Sequence, residues 1–351
     1  MLTLTPERLN KTVVPLSTTW LLSACMEAKG KQDLWSKQKP EVLTALRQQA
    51  VIQSAESSNR IEGVTIAPDR LRPVVLGKSK PRDRSEEELA GYRKAMDWIF
   101  ARTRNINITG EILLHLHKLA QGEHINDAGQ WKVRDNEIIE ILPNGSRTIR
   151  FKPTPAKLTP KMIEQLCINY ASISNETRIP ALLTIACFVF DFLCIHPFRD
   201  GNGRVSRLLT TALLQNHGFY VGRYVSIERL IEEEKSEYYR VLGACSSKWH
   251  EGKNEIFPWW NFFLGIIQRA YTEFGHKVES AQGRPAKTEM IQQIVLQQLE
   301  PFTLSDIAAR VPAASSQLIK KVLAQLKKDK YIKLSGHGRG AKWEIVRHSR
   351  H

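Results

Sequence analysis

His196-Pro197-Phe198-Arg199-Asp200-Gly201-Asn202-Gly203-Arg204-Val205-Ser206-Arg207 joins two segments of contrasting pattern, Pro180 to Ile195 and Arg204 to His217. The first is apolar nearly all round, and such a helix belongs at the centre of a domain. His196 falls at its C-terminal end. Gly201 and Gly203 let the backbone turn tightly and aim its N–H groups at one point, an anion nest. The N-terminus of the following helix adds partial positive charge at the same place. Arg204 and Arg207 lie one turn apart on one face and can clamp phosphate oxygens. Asp200, beside the nest, suits a Mg²⁺ ion bridging phosphates, directly or through water. His196 titrates in the range needed to take a proton near neutral pH. Singly, these residues have ordinary readings: a satisfied histidine, a plain turn, a solvated arginine pair. A base, a metal ligand and a phosphate cradle at this spacing imply phosphoryl or nucleotidyl transfer.

The flanks read as helical. Glu41 to Glu62 carries apolar residues at helical spacing and stops at Gly63, a natural C′ residue. Ser85 to Phe100 opens with Ser85 as N-cap and acids in the first turn. Thr109 to Gln121 is a further helix. Ile138 to Leu142 and Arg147 to Phe151 are β-like and separated by Pro143-Asn144-Gly145-Ser146, a strong hairpin signal. Helices resume at Thr159 to Ala171, Glu232 to Cys245 and Pro258 to Phe274. Glu279 to Pro285 reads as a linker. Beyond it come helical patterns at Lys287 to Leu299, Leu304 to Arg310 and Ser315 to Lys328. Two β-like runs, Tyr331 to Leu334 and Lys342 to Val346, close the chain. Three helices followed by a hairpin describe a winged helix-turn-helix.

Composition agrees with a globular protein of two or three domains: 351 residues, 42% hydrophobic and 25% charged. The longest apolar run is interrupted by Asp191 and is too short to span a bilayer. Five scattered cysteines without a CxxC indicate neither a disulfide framework nor a zinc site, and fit a reducing compartment. Leu22-Ser23-Ala24-Cys25 resembles a lipoprotein cleavage site. The stretch before it, with Pro15, Ser17, Thr18 and Thr19, is not a uniformly apolar leader, so export is not expected and a cytoplasmic location is. The net charge is +15, and Arg284 to His351 holds 13 Lys+Arg against 5 Asp+Glu. That asymmetry points to a polyanion near the C-terminal part. In the winged-helix pattern Ser315 to Lys328 is the recognition helix, with Gln317, Lys320 and Lys321 near its start and His337 and Arg339 in the wing.

The motif is similar, at every fixed position, to the signature of the Fic family, HPFx(D/E)GNGRxxR, with looser likeness from about Thr109 to Phe274. The resemblance implies a mainly α fold: a Fic helical core with a β-hairpin flap, beside the C-terminal winged helix-turn-helix domain. The organisation is then an N-terminal helical region at 1–108, a core at 109–278 and the last domain at 284–347. It implies a protein adenylyltransferase moving AMP from ATP to a Ser, Thr or Tyr hydroxyl of a target or of itself, with Mg²⁺. His196 would be the base. Asp200 would hold Mg²⁺, and Gly201, Asn202, Gly203, Arg204, Val205, Ser206 and Arg207 would bind the nucleotide, Arg207 at the γ-phosphate. Tyr238 and Tyr239 resemble the family's tyrosine pair at the nucleotide pocket. The flap residues Asn136, Glu137, Ile138 and Ile139 would begin the strand that aligns the target. Ser58-Asn59-Arg60-Ile61-Glu62-Gly63 resembles the family's inhibitory motif, (S/T)xxxE(G/N). By that resemblance Glu62, with Ser58, would engage Arg207 and keep ATP in a nonproductive pose. The alternative is a DNA-binding regulator whose Fic core binds nucleotide without efficient turnover; a different transferred group (phosphate, UMP or phosphocholine) is a third reading. Expected partners are a target protein on the flap and DNA at the winged helix, with self-association into a homodimer left open and no membrane partner.

Overall fold

A computed structural model of the chain describes residues 1–346 apart from 37–39, 103–105, 123–125, 142–145, 176–177, 283–286, 299, 313 and 337–340. The first helices are α1 (Pro6–Leu9), α2 (Leu16–Ser36), α3 (Pro40–Ile61), α4 (Pro68–Val75), α5 (Arg84–Phe100) and α6 (Gly110–Gln121). A hairpin of β1 (Ile138–Ile141) and β2 (Arg147–Phe151) follows. Next come α7 (Thr159–Ser174), α8 (Ala181–Ile195), α9 (Asn202–Asn216), α10 (Ile227–Glu233), α11 (Lys235–Ser246) and α12 (Phe257–Gln282). The chain closes with α13 (Lys287–Leu296), α14 (Leu304–Arg310), α15 (Ser316–Lys328), β3 (Ile332–Ser335) and β4 (Lys342–Ile345). It forms two compact units, Met1–Gly275 and His276–His351.

In the first unit α8 is the axis of the core. Every residue from Leu182 to Ile195 is buried. Burial of each of Phe188, Phe190 and Phe192 contributes roughly 1.5–3 kcal/mol. The helix packs against α7 and α9, and α9 in turn meets α3, α5 and α6. The polar exception on α8, Asp191, is fully buried and accepts hydrogen bonds from Thr3 N (3.0 Å), Leu4 N (2.7 Å) and Trp249 Nε1 (2.7 Å). Burial raises its pKa, and these donors oppose the rise. A buried carboxylate is tolerated here because both oxygens are satisfied.

Several local expectations change. The N-cap of α5 is Asp83, whose carboxylate accepts from Glu86 N at 2.9 Å, and not Ser85. The helix expected over Glu232 to Cys245 is two helices, because Glu234 leaves helical geometry at φ −108° and ψ 27°. α12 runs on through Glu279-Ser280-Ala281-Gln282, which lack glycine and proline, so the helical part of the supposed linker extends to Gln282. Cys25 lies in the middle of α2, fully buried, with its thiol directed at Leu264 O. Among the described residues no helix is long and apolar enough to cross a membrane.

In the second unit Ile307, Ile319, Val322, Leu323, Leu326 and Ile332 lie in one apolar core. β3 and β4 pair antiparallel in the register Ile332↔Ile345 to Ser335↔Lys342. Phe302 adds a bridge to Trp343, with N–H···O bonds of 2.9 and 2.7 Å. The element order in this unit is three helices followed by a hairpin; His337 and Arg339 lie outside the described residues.

Candidate active site

His196 is the C-cap of α8 and takes left-handed geometry, φ 52° and ψ 61°. That conformation costs a non-glycine residue of order 1–3 kcal/mol and turns the chain sharply out of the core helix. Its Nδ1 lies 3.3 Å from Leu193 O. A carbonyl only accepts, so Nδ1 carries the hydrogen and Nε2 keeps a free lone pair. Burial lowers the pKa to about 4, against a raising contribution from the Leu193 bond, and Lys132 adds to the lowering. The imidazole is therefore neutral at pH 7.

The loop after His196 is braced from within. Asn202 Oδ1 accepts from Phe198 N at 2.9 Å, and its Nδ2 donates to Phe198 O at 2.8 Å. Phe198 stacks on His117 at 3.8 Å between centroids and on Trp131 at 5.2 Å. His117 Nδ1 accepts from Gly129 N, so its Nε2–H donates to Asp200 O, at 2.9 and 3.1 Å. Burial lowers the His117 pKa to about 4 and keeps it in this neutral form. Asn202 thus spends its side chain on the loop, leaving the backbone N–H groups of Asn202 and Gly203 for the nest, while Gly201 N donates to Asp200 Oδ1 at 2.7 Å. α9 begins at Asn202 with no side-chain cap and no acid in its first turn.

The anion that arrives there comes from α3. A Cβ placed on Gly203 would fall 2.0 Å from Glu62 Oε1, so the carboxylate lies directly against the backbone of the first turn. Glu62 Oε1 accepts from Arg207 Nη2 at 2.8 Å. Arg207 also donates from Nε to Ser58 Oγ and from Nη2 to Ser58 O, both at 2.9 Å. Burial works against the arginine's charge, yet Glu62, together with Tyr238 and Tyr92, outweighs it and raises its pKa above the usual range. Arg207 Nη1 is buried and finds no acceptor among the described residues. Gly63 follows at φ 83°, with Gly63 N donating to Arg60 O and Val64 N to Asn59 O, a Schellman motif that fixes the end of α3.

Arg204 behaves differently from the expected clamp. Its Nη1 pairs with Glu88 Oε2 at 2.7 Å, and its Nη2 donates to Gln121 Oε1 at 3.0 Å. Asp200 Oδ2 is 3.7 Å from Arg204 but 2.7 Å from Arg84 Nη2, and Arg84 Nε donates to Glu88 Oε1 at 2.8 Å. Arg204 and Arg207 therefore do not converge on one ligand; helix geometry puts them on one face, but their partners pull them to different neighbours. Val205 is fully buried core, and Ser206 Oγ donates to Gly203 O at 2.7 Å, so neither side chain is presented to the cradle. Tyr238 is buried 5.2 Å from the ring of Tyr239, whose hydroxyl reaches Ile61 O at 3.5 Å.

The flap is joined to this site by Asn136 and by Lys132, which no sequence pattern singled out. Lys132 Nζ donates to Asn136 Oδ1 at 2.8 Å and to Ile195 O at 3.2 Å, and Lys132 N donates to Pro197 O at 2.9 Å. Burial lowers the Lys132 pKa to about 8. Asn136 Nδ2 also donates to Phe198 O at 3.2 Å. β1 and β2 pair antiparallel with a bulge between Ile138 and Ile139, and Ile139 faces Ile149 across the strands, both exposed. Glu137 pairs with Lys152 at 3.7 Å. Trp131 and Lys132 follow Gly129 in a loop without periodicity, so only their size and charge hinted at a role.

The Fic/DOC family profile matches residues 107–214, which span α6, the hairpin and the braced loop. The chain carries a Fic domain. It is similar to "Protein adenylyltransferase Fic" of Nematostella vectensis, 26% identical over 207 residues, 56% of this chain and 44% of that one. The protein of the same name from Drosophila melanogaster is 26% identical over 231 residues, covering 65% of this chain and 42% of its own. The chain thus spans less than half the length of these curated relatives. Among solved structures, a Fic family protein from Desulfovibrio desulfuricans G20 superposes with a TM-score of 0.63 at 19% identity, covering 97% of this chain and 99% of that one. A Fic domain containing signaling protein from Bacteroides thetaiotaomicron gives 0.62 at 20% identity, covering 73% of this chain and 97% of that one. At such identities the likeness is one of fold.

The Fic domain's residues also fit a nucleotide-borne Mg²⁺. Among the described residues no three His, Cys, Asp or Glu side chains converge as a metal cluster. A Mg²⁺ that arrives on phosphates needs only one or two carboxylates. Asp200, 55% exposed beside the uncapped start of α9, offers one.

Proposed function

We propose that this protein is an adenylyltransferase checked by its own α3, moving AMP from ATP to a serine, threonine or tyrosine hydroxyl of a target protein or of itself. The observation that carries the reading is the Glu62 carboxylate seated against Gly203 and bonded to Arg207. An anion from the chain itself occupies the ground that nucleotide phosphates would take. The names of the curated relatives support AMP as the transferred group.

In this mechanism His196 Nε2 takes the proton of the target hydroxyl as that oxygen bonds to the α-phosphorus. The bond from the α-phosphorus to the bridging oxygen breaks, and pyrophosphate leaves. The first-turn N–H groups of Asn202 and Gly203 hold the α- and β-phosphates, joined by that of Gly201 when Asp200 turns from it, and Arg207 forms a charge-assisted bond to the γ-phosphate. Asp200 would hold Mg²⁺, which screens charge on the phosphates when bound. Arg204 acts as support, holding Glu88 and Gln121 beside the loop. The free edge of β1 receives an extended segment of the target as an added strand. Glu62 competes with the γ-phosphate for Arg207, so ATP bound beside it cannot turn its α-phosphate in line with the incoming hydroxyl.

Intact-mass spectrometry after incubation with MgATP tests the reading. Wild type is expected to gain AMP slowly, and His196→Ala to lose about 10²–10⁴-fold in rate while still binding nucleotide. Transfer by His196→Ala at the wild-type rate would sink the assignment.

A further inference from the structure

Several surface cations of the first unit are paired one turn away on their own helices: Lys31 with Glu27, Arg84 with Glu88, Arg93 with Asp97, Arg240 with Glu237. α15 gathers its cations differently. Ile319, Val322, Leu323 and Leu326 face the core of the second unit. On the opposite side Gln317, Lys320, Lys321, Ala324 and Lys328 fall within about 100° of one another at 100° per residue, and all are exposed. Lys320, Lys321 and Lys328 have no ion pair among the described residues, and no acid interrupts the arc. Solubility alone asks for mixed charge, not for one sign along one helix face.

We infer that this face of α15 binds double-stranded DNA, as an activity separate from the proposed nucleotide chemistry. Three unpaired lysines spaced along a helix match a phosphate backbone, whose neutralisation releases counterions. Gln317 supplies an amide able to pair with a base edge. Ala324, at the centre of the arc, keeps the helix slim enough for close approach. The major groove of B-form DNA admits an α-helix, whereas that of duplex RNA is too narrow for side chains to read. The choice of DNA over RNA follows from that geometry. It also favours DNA over an acidic protein, since a glutamine and an alanine amid lysines suit a groove better than a flat acidic patch.

Fluorescence anisotropy of the full chain with a labelled 30-base-pair duplex decides the matter. Three phosphate contacts predict a slope of log affinity against log salt of at least about −2.7, or roughly 40-fold weaker binding between 50 and 200 mM salt. Lys320→Gln, Lys321→Gln and Lys328→Gln combined should remove about that much slope, while the three Arg replacements keep it. The lysines touch nothing in the core, so the thermal unfolding of the Gln variant should match wild type. An unchanged slope in the Gln variant would overturn the proposal. So would equal affinity for a duplex RNA of the same length, or tighter binding of a polyglutamate peptide than of DNA.

Discussion

Arg204 and Arg207 sit three residues apart on α9, both buried, and are held by opposite kinds of partner. Arg204 is gripped by Glu88 and Gln121 from α5 and α6, and the Glu88 side chain is only 2% exposed. Arg207 is gripped by Ser58 and Glu62 from the end of α3, and Glu62 is 31% exposed. A carboxylate buried with its cation cannot depart without leaving a charge stranded in low dielectric. One at the surface regains its own hydration on leaving, and what remains is the cost of an unpaired Arg207 guanidinium that keeps its bonds to Ser58. The fate of each arginine is thus set by the burial of its acid, and one helix carries a fixed strut and a releasable contact side by side.

Arg204→Ala strikes the fixed side and should have the largest effect. It leaves the buried Glu88 carboxylate only the exposed Arg84 as partner, and a loss of up to about 3–5 kcal/mol is expected, seen as a lower urea midpoint at unchanged slope. Arg207→Ala should cost clearly less stability; equal losses from the two would erase the distinction.

Glu62→Gly probes the releasable side. Autolabelling with ATP is expected to rise roughly ten- to a thousand-fold, because a partly buried charge pair of a few kcal/mol is lifted from Arg207. Arg207→Ala should stay inactive, since it removes the phosphate's ligand together with the inhibitor's partner. Equal labelling by wild type and Glu62→Gly would reduce Ser58 to Gly63 to an ordinary helix end.

The pH profile of Glu62→Gly comes next. With the His196 pKa lowered to about 4, the base stays unprotonated as pH falls from 7 to about 5. The labelling rate should be level over that range and drop about tenfold per pH unit only below about 4. A decline already beginning at pH 6.5 would mean that the imidazole titrates as if in water. The smallest effect is reserved for Arg84, whose pair with Asp200 is exposed on both sides. Such pairs are worth about 0–1 kcal/mol, so Arg84→Gln should lower the Mg²⁺ concentration for half-maximal labelling by no more than about five-fold. A tenfold change would give this surface pair the weight of the Glu62 contact.

Much of this arrangement was legible in sequence order because it is local. The run from His196 to Arg207 encodes a core helix, a turn and a new helix in contiguous residues, and Ser58 and Glu62 lie one turn apart at a marked helix end. The hairpin strands were equally plain, since alternation and turn residues are neighbours. What could not be read was the choice among distant partners. Nothing near Arg204 announces Glu88, 116 residues upstream, and nothing near Lys132 announces that its ammonium will lodge under Ile195. The division of α10 from α11 depends on one residue, Glu234, whose backbone departs from the helix in a stretch with unbroken helical propensity.

The Schellman motif at Gly63 has a consequence in time. With both terminal N–H groups bonded back into α3, the Cα of Glu62 is fixed and only its side-chain torsions separate the seated carboxylate from a free one. Rotamer changes of exposed side chains take picoseconds to nanoseconds, against turnover on the scale of about 0.001–1 s for ordinary enzymes. In the proposed mechanism the restraint is therefore not a gate that must be opened once but a fast equilibrium sampled many times within each catalytic cycle, with the rate scaling with the fraction of time Arg207 is vacant. A partner that stabilises the outward rotamer by 1.4 kcal/mol would raise output about tenfold without displacing a single helix.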